Sequence, residues 1–266
     1  MIHTGLRAAY GYLVVYLGLL VFALGCLIWS CVAALLCHLL PRAWGVMVGR
    51  RVSCYGFRLY LWCLTLTGAA SFELRALDAL RDAGPLVIAP NHPCLLDAVM
   101  IVSRLPDVAC VAKAKLIDSP IFGASARLAG YIRNDDFFGG AVQAVETLRA
   151  GGQLLLFPEG TRTTRRPIDR LKGGAALVAR RSRVSIQTVL IETGSHFLSK
   201  DWPFHRIPSM PIRYRVRLGR RFTPGDDLKE SLAEMEAYFA SELSSRNGEN
   251  ADDISEHVQA AGLDRT

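Results

Sequence analysis

The segment Pro85–Val99, PLVIAPNHPCLLDAV, passes from an unbroken apolar run into a turn and then into apolar residues at helical spacing. Four consecutive apolar side chains without alternation are the pattern of a strand covered on both faces, as in a parallel sheet. The strand ends in a turn that carries a histidine. His92 and Asp97, five residues apart across such a strand-to-helix turn, can meet. A carboxylate on one ring nitrogen fixes the tautomer and stabilises the imidazolium formed when the other nitrogen takes a proton. That is the apparatus of a general base for a hydroxyl nucleophile. For His92 alone, a helix-start histidine capping backbone groups is the competing reading.

Spacing by itself carries little, because His196 and Asp201 repeat it in HFLSKDWP. That segment lacks the strand-turn-helix context, so His196 is expected in a loop or on the surface. Cys94 is a second candidate nucleophile near His92, but side chains two apart in a helical turn diverge.

Outward from this segment, apolar runs alternate with helical spacing. Candidate strands are Leu86–Ala89, Val108–Ala112, Gly130–Arg133, Leu154–Phe157, Ser185–Ile191 and Ile212–Leu218. Candidate helices are Leu95–Leu105, Pro120–Leu128, Gly140–Arg149, Gly173–Arg181 and Asp226–Leu243. The rhythm predicts an α/β fold with a largely parallel sheet flanked by helices. Ile212–Leu218 alternates apolar residues with arginine, as a half-exposed strand near an edge does. From Ser244 onward the polar, acidic composition predicts disorder or a loosely held helix.

A second strand-to-turn junction lies at Leu154–Arg162, LLLFPEGTR. Ligands of open α/β sheets gather at the carboxyl ends of strands, and parallel neighbours would bring the His92 and Glu159 turns to one rim. Gly160 allows close backbone approach, and Arg162 offers a planar fork for phosphate.

Tyr10–Leu40 contains no Asp, Glu, Lys or Arg. About twenty such residues cross a bilayer, so a retained anchor is expected in preference to a cleaved signal peptide. Arg42, Arg50, Arg51 and Arg58 after the span, against Arg7 before it, put the body in the cytoplasm by the positive-inside bias. Tyr55–Ala70, with Arg58, Tyr60 and Trp62, reads as an interfacial or re-entrant helix, with a buried core helix as its rival. The tail Asp226–Thr266 carries eleven acids and three bases, so with +7 overall the remaining residues carry +15. A basic body beside an anchor favours anionic lipid; no stacking platform or recognition helix points to nucleic acid. Seven cysteines show neither metal spacing nor a disulfide framework, and no Gly-x-Ser-x-Gly elbow occurs.

NHPCLLD and FPEGTR together resemble the glycerolipid acyltransferase family, whose familiar members are lysophosphatidic acid acyltransferases. The resemblance covers roughly Pro85 to Leu218, including VAKAKL at Val111–Leu116 and LKGGAALVA at Leu171–Ala179. It implies His92 and Asp97 as the catalytic pair. It also implies a substrate-binding role for Glu159, Gly160, Thr161, Arg162, Lys113 and Arg133. Two departures stand out: Arg133 in GYIRNDD is out of the family's register, and SIQTVLIET lacks the usual proline. The chemical step is therefore better supported than the acceptor.

The expected activity is membrane-bound O-acyl transfer from coenzyme A or acyl carrier protein, as co-substrate, to a glycerophospholipid-type hydroxyl. Backbone N–H groups of Gly160 and Thr161 are candidate oxyanion donors, and Glu159 either orients the acceptor or ties Arg162. No metal or resident cofactor is expected, and the oligomeric state is open. Alternatives are a non-glycerolipid acceptor in a specialised lipid or polyene pathway, a thioester or lipid hydrolase, and a non-catalytic lipid-binding protein. The expected organisation is a membrane segment over 1–70, the α/β domain over 71–225, and an acidic helix and tail over 226–266.

Overall fold

A computed structural model describes residues 2–165, 167–203 and 205–260. The side chains of Arg7 and Arg246, and the whole of Arg265, counted above among the charges, lie outside the described residues. Two N-terminal helices, α1 (Ile2–Leu39) and α2 (Arg42–Leu66), precede the domain. The domain then runs β1 (Ala70–Glu73), a 3-10 turn (Arg75–Leu80), β2 (Leu86–Pro90), α3 (Asp97–Val102), β3 (Val108–Ala112), α4 (Ala114–Ile117) and α5 (Gly123–Leu128). It continues through β4 (Ile132–Arg133), α6 (Phe137–Arg149), β5 (Gln153–Leu155), α7 (Gly174–Ser182), β6 (Ile186–Glu192), β7 (Ile212–Phe222) and α8 (Leu228–Ala260).

The seven strands form one sheet in the order β1-β7-β6-β2-β5-β3-β4. Every pairing is parallel except β6 with β7. β2 is central, and all five of its residues are buried. Its side chains alternate between two cores, as the period of a strand requires. Leu86 and Ile88 pack with Met100 and Val102 of α3, Leu77 and Leu80 of the 3-10 turn, and Leu61 of α2. Val87 and Ala89 face the other way, onto Leu148 of α6, Ala175 and Ala179 of α7, and Phe239 of α8. Each fully buried Leu, Ile or Met here contributes roughly 1.5–3 kcal/mol of burial. A β2 of alternating polarity would leave one of the two cores without its centre.

Several expectations shift at their edges. β1 lies outside the candidate strands; it is four residues long and pairs with β7, far away in sequence. β7 is accordingly second from the edge, and it runs to Phe222. The chain after Ser244 continues α8 as helix to Ala260. α2 is one continuous helix, and the expected interfacial segment Tyr55–Ala70 forms only its second half. Arg50 and Arg58 on α2 donate to domain carbonyls, at Ala129 and Asp107 and at Ser103 respectively.

α1 includes an apolar stretch, Ala9–Leu39, long enough to cross a membrane, with little of it buried. One side of it is packed. Phe22 meets Phe57 and Tyr60 of α2 and Phe122 beside α5. Ser30 Oγ accepts from the Ser125 N–H of α5, and Ile207 lies against Gly11. The rest of α1 exposes leucines and tyrosines, and α2 exposes a stripe of Trp44, Val52, Tyr55, Leu59, Trp62 and Leu66.

Candidate active site

Because β2 and β5 are parallel neighbours, their carboxyl ends deliver two turns to one rim. On the first, His92 Nδ1 lies 2.7 Å from Asp97 Oδ2. Asp97 is fully buried at the first position of α3, while the His92 side chain is 17% exposed. Asp97 Oδ2 also accepts the Cys94 N–H at 2.8 Å, and Oδ1 accepts the Cys94 thiol at 3.0 Å. A carboxylate receiving these donors acts as acceptor, so Nδ1 carries the proton and Nε2 is left with its lone pair. The Phe157 ring stacks on the imidazole with centroids 3.9 Å apart, closing one face of the ring against water.

The second turn is bonded to the first. Glu159 is almost completely buried. Its Oε1 accepts the His92 N–H and the Thr163 hydroxyl, each at 2.9 Å, and its Oε2 accepts the Asp169 N–H at 3.0 Å. The Thr163 N–H returns a bond to the His92 carbonyl at 2.8 Å. Burial raises the Glu159 carboxyl above its ordinary value, and the three donors pull it back. Glu159 is thus a brace for the backbone that carries His92. Sequence reasoning offered it to the acceptor or to Arg162; its oxygens accept from His92, Thr163 and Asp169.

Arg162 turns to the β6–β7 connection, where its Nη1 donates to the Leu198 and Ser199 carbonyls at 2.9 Å each. Leu95 N–H meets the same Leu198 carbonyl, at 3.1 Å. Asn91 secures the base of the turn through both side-chain atoms, giving Nδ2–H to the Ile191 carbonyl and taking the Ile191 N–H.

The other expected residues need correction or placement. Gly160 has φ +68° in a tight turn, as its sequence position implies, but its N–H donates to the Phe157 carbonyl at 3.0 Å. That bond occupies the N–H within the turn. Thr161 follows it, half-buried. Arg133 sits on β4, three strands from β2, which is about 14 Å across a sheet. Its guanidinium is held by Asp118 and Asp135; it does not join the His92 cluster, because two carboxylates already neutralise it. Lys113 lies just after β3, two strands from β2. His196 is exposed in the β6–β7 loop, on the wall of the cavity beside the His92 turn and not itself on a strand-to-helix turn.

A cavity of about 1450 Å³ opens beside the paired turns. Its wall includes Asn91 and Pro93 on either side of His92, Thr163 of the second turn, and Trp202 and Arg206 of the β6–β7 loop. Sequence reasoning expected a loop here but missed its place beside the site, and it missed the Phe157 stack, the Asn91 clamp and the Thr163 and Asp169 bonds. Of these, only Asn91, as a polar residue immediately after a buried strand, carried a local signal.

A family model described as Acyltransferase matches residues 71–192, the span from β1 through β6 that holds both turns. No curated protein matches the chain. Among solved structures, the crystal structure of the 1-acyl-sn-glycerophosphate (LPA) acyltransferase PlsC from Thermotoga maritima has a similar fold. The TM-score is 0.64 at 16% identity, covering 92% of this chain and 97% of that one.

Proposed function

We propose that this chain, whose residues 71–192 match the acyltransferase family model, moves a fatty acyl chain from a thioester donor to a hydroxyl of a glycerophospholipid-type acceptor. The observation that carries this is the His92–Asp97 pair, braced by Glu159 so that Nε2 faces away from the carboxylate. Nε2 removes the acceptor's hydroxyl proton as the oxygen attacks the thioester carbonyl. The tetrahedral adduct expels the thiolate, which takes the proton from the imidazolium, so no acyl-enzyme forms. Asp97 stabilises the imidazolium while it exists.

Arg162 is proposed as the phosphate-holding cation. A guanidinium has five N–H groups, and fixing Nη1 on two carbonyls orients the plane for the remaining donors. Lys113 is proposed to assist it; Arg133 is not. The donor's carrier is coenzyme A or acyl carrier protein. The exposed apolar faces of α1 and α2 support attachment to a lipid bilayer, with tryptophan and tyrosine at its interface. We place the protein at the cytoplasmic membrane, with its domain on the inner face. Holding both substrates at that surface supplies the proximity that a two-substrate reaction needs.

The test incubates membranes carrying the protein with acyl-coenzyme A or acyl carrier protein and a panel of lyso-lipids, with products read by mass. Acyl-lipid that accumulates only with a lyso-lipid present supports the reading. Free fatty acid released equally without any lyso-lipid would replace it with a thioester hydrolase.

A further inference from the structure

We infer that Cys94 is a positioning residue of this reaction: its thiol, with the Tyr214 hydroxyl behind it, holds Asp97 with Oδ2 turned to His92. The inference rests on His92 and Asp97 being the base pair proposed above. The two oxygens of Asp97 have separate duties. Oδ2 serves His92 Nδ1 and the Cys94 N–H, whereas Oδ1 is met by the Cys94 thiol at 3.0 Å. Rotation of a carboxylate about its terminal bond is soft, so an unheld Oδ1 would let the group twist away from the ring.

Cys94 is only 1% exposed. Burial first, then the neighbouring Asp97, pushes its titration well above the ordinary thiol range. A thiol that stays protonated is a donor and a poor nucleophile. Tyr214 of β7 lies behind it, 1% exposed and stacked on Phe72 with centroids 5.3 Å apart. Among the described residues its buried hydroxyl has no conventional hydrogen-bond partner, and the groups it faces are Cys94 and Asp97. A buried phenol aimed at a thiol has little reason to be there in an apolar core, since Phe would fill the same space at lower cost.

The titratable groups around the pair come from four directions: Cys94 on the turn itself, Tyr214 on β7 with Tyr60 of α2 beyond it, and Glu159 on the neighbouring turn. Held with Oδ2 on Nδ1, the carboxylate supports the imidazolium that forms during the reaction; a carboxylate free to twist supports it less. Removing the thiol therefore slows the step and moves the ascending limb of the pH–rate profile to lower pH.

The experiment compares kcat/KM against pH for the full-length, membrane-bound wild type, Cys94→Ala, Cys94→Ser, Tyr214→Phe and the Cys94→Ala/Tyr214→Phe pair. Thermal melts establish folding for each. For Cys94→Ala the expected result is a loss of about tenfold to a hundredfold, the range for a hydrogen bond to a charged group, with the limb displaced to lower pH. Cys94→Ser keeps a donor, so its limb stays in place and most of its rate returns. Tyr214→Phe moves the limb the same way by less, and the double variant moves it no further than Cys94→Ala alone. An unmoved limb in Cys94→Ala, a serine variant as slow as the alanine one, fully additive shifts, or an acyl group found covalently on Cys94 would each overturn the inference. His92→Ala separates the two levels: if it is fully active, the base assignment itself fails. If it is inactive while the Cys94→Ala limb stays put, only the positioning role fails.

Discussion

Asp97 and Glu159 are both buried acids, yet they do different work. Asp97 faces the His92 ring, the proposed base, and Glu159 holds the peptide that carries that ring. Replacing Asp97 with Asn keeps the shape but offers a donor where an acceptor is needed, which favours the wrong histidine tautomer. We expect turnover to fall by about a thousandfold to ten-thousandfold, as for triads of this kind, with the melting curve little changed; a steady-state assay beside a thermal melt checks both. Glu159→Ala instead leaves the His92 and Asp169 N–H groups without partners. It should cost roughly 2–4 kcal/mol in chemical denaturation, since a bond to a charged group contributes about 1.5–3 kcal/mol, and lower activity as a consequence. The sign of its pH dependence follows from burial. The Glu159 carboxyl titrates above its ordinary 4.5 when folded, so across that window the folded protein binds more protons than the unfolded chain. Stability from this group falls as pH rises through the window. The stability advantage of wild type over Glu159→Gln should accordingly narrow as pH climbs past 4.5, and a widening gap would contradict the burial argument. Both acids were visible in the sequence as candidates, but only one role was. Asp97 declares itself by its spacing from His92, whereas the duty of Glu159 depends on which strand lies beside β5.

At the scale of elements, strand ends place the chemistry. β5 stops at Leu155, so Phe157 falls in the turn, where its ring can stack on His92. Gly160 then reverses the chain at φ +68°. An alanine there would incur the left-handed penalty of about 1–2 kcal/mol and press on the Lys172 side chain. Gly160→Ala should therefore lower stability by that amount and also slow turnover, because the same turn holds Glu159; denaturation and assay of the one variant measure both. The buried strands and most domain helices were legible because apolar runs and helical spacing are local signals. β1 was not, since ASFE is short and half-exposed and becomes a strand only by pairing with β7. The rim of the cavity was hidden for the same kind of reason: the β6–β7 connection has no periodicity, and Arg162 is its tether. The fork of Arg162 was readable, but the carbonyls that share it were not. Arg162→Ala should raise the KM for a phosphate-bearing acceptor by more than the KM for a neutral one, since both lose the tethered loop and only the first loses a cation; equal rises in steady-state assays would remove the phosphate role.

For the whole molecule, the proposed membrane attachment raises the question of how the apolar helices would meet a bilayer. Length alone allows α1 to cross. Its packing argues for a different arrangement, because Ile207 lies against Gly11 while α5 meets Ser30. Nineteen residues of helix separate those points, about 28 Å at 1.5 Å per residue, which is close to the full hydrocarbon thickness of about 30 Å. A domain touching α1 at both levels fits a helix lying lengthwise in one leaflet. A tag ahead of Ile2 should then be cleaved by protease added to the domain's side of sealed vesicles, whereas protection of the tag would restore the crossing. The charge asymmetry belongs to this scale too: a basic body carrying both turns sits beside an acidic α8, and the excess positive charge favours an anionic lipid surface. One measurement bears on the His92 assignment more directly than any other. It is the single-turnover rate of acyl transfer from labelled thioester to lyso-lipid, taken for wild type and for folded His92→Ala in the same membranes. A general base at His92 predicts a fall of about a hundredfold to ten-thousandfold, the usual contribution of such a group, with His196→Ala matching wild type; equal rates for His92→Ala and wild type would contradict it.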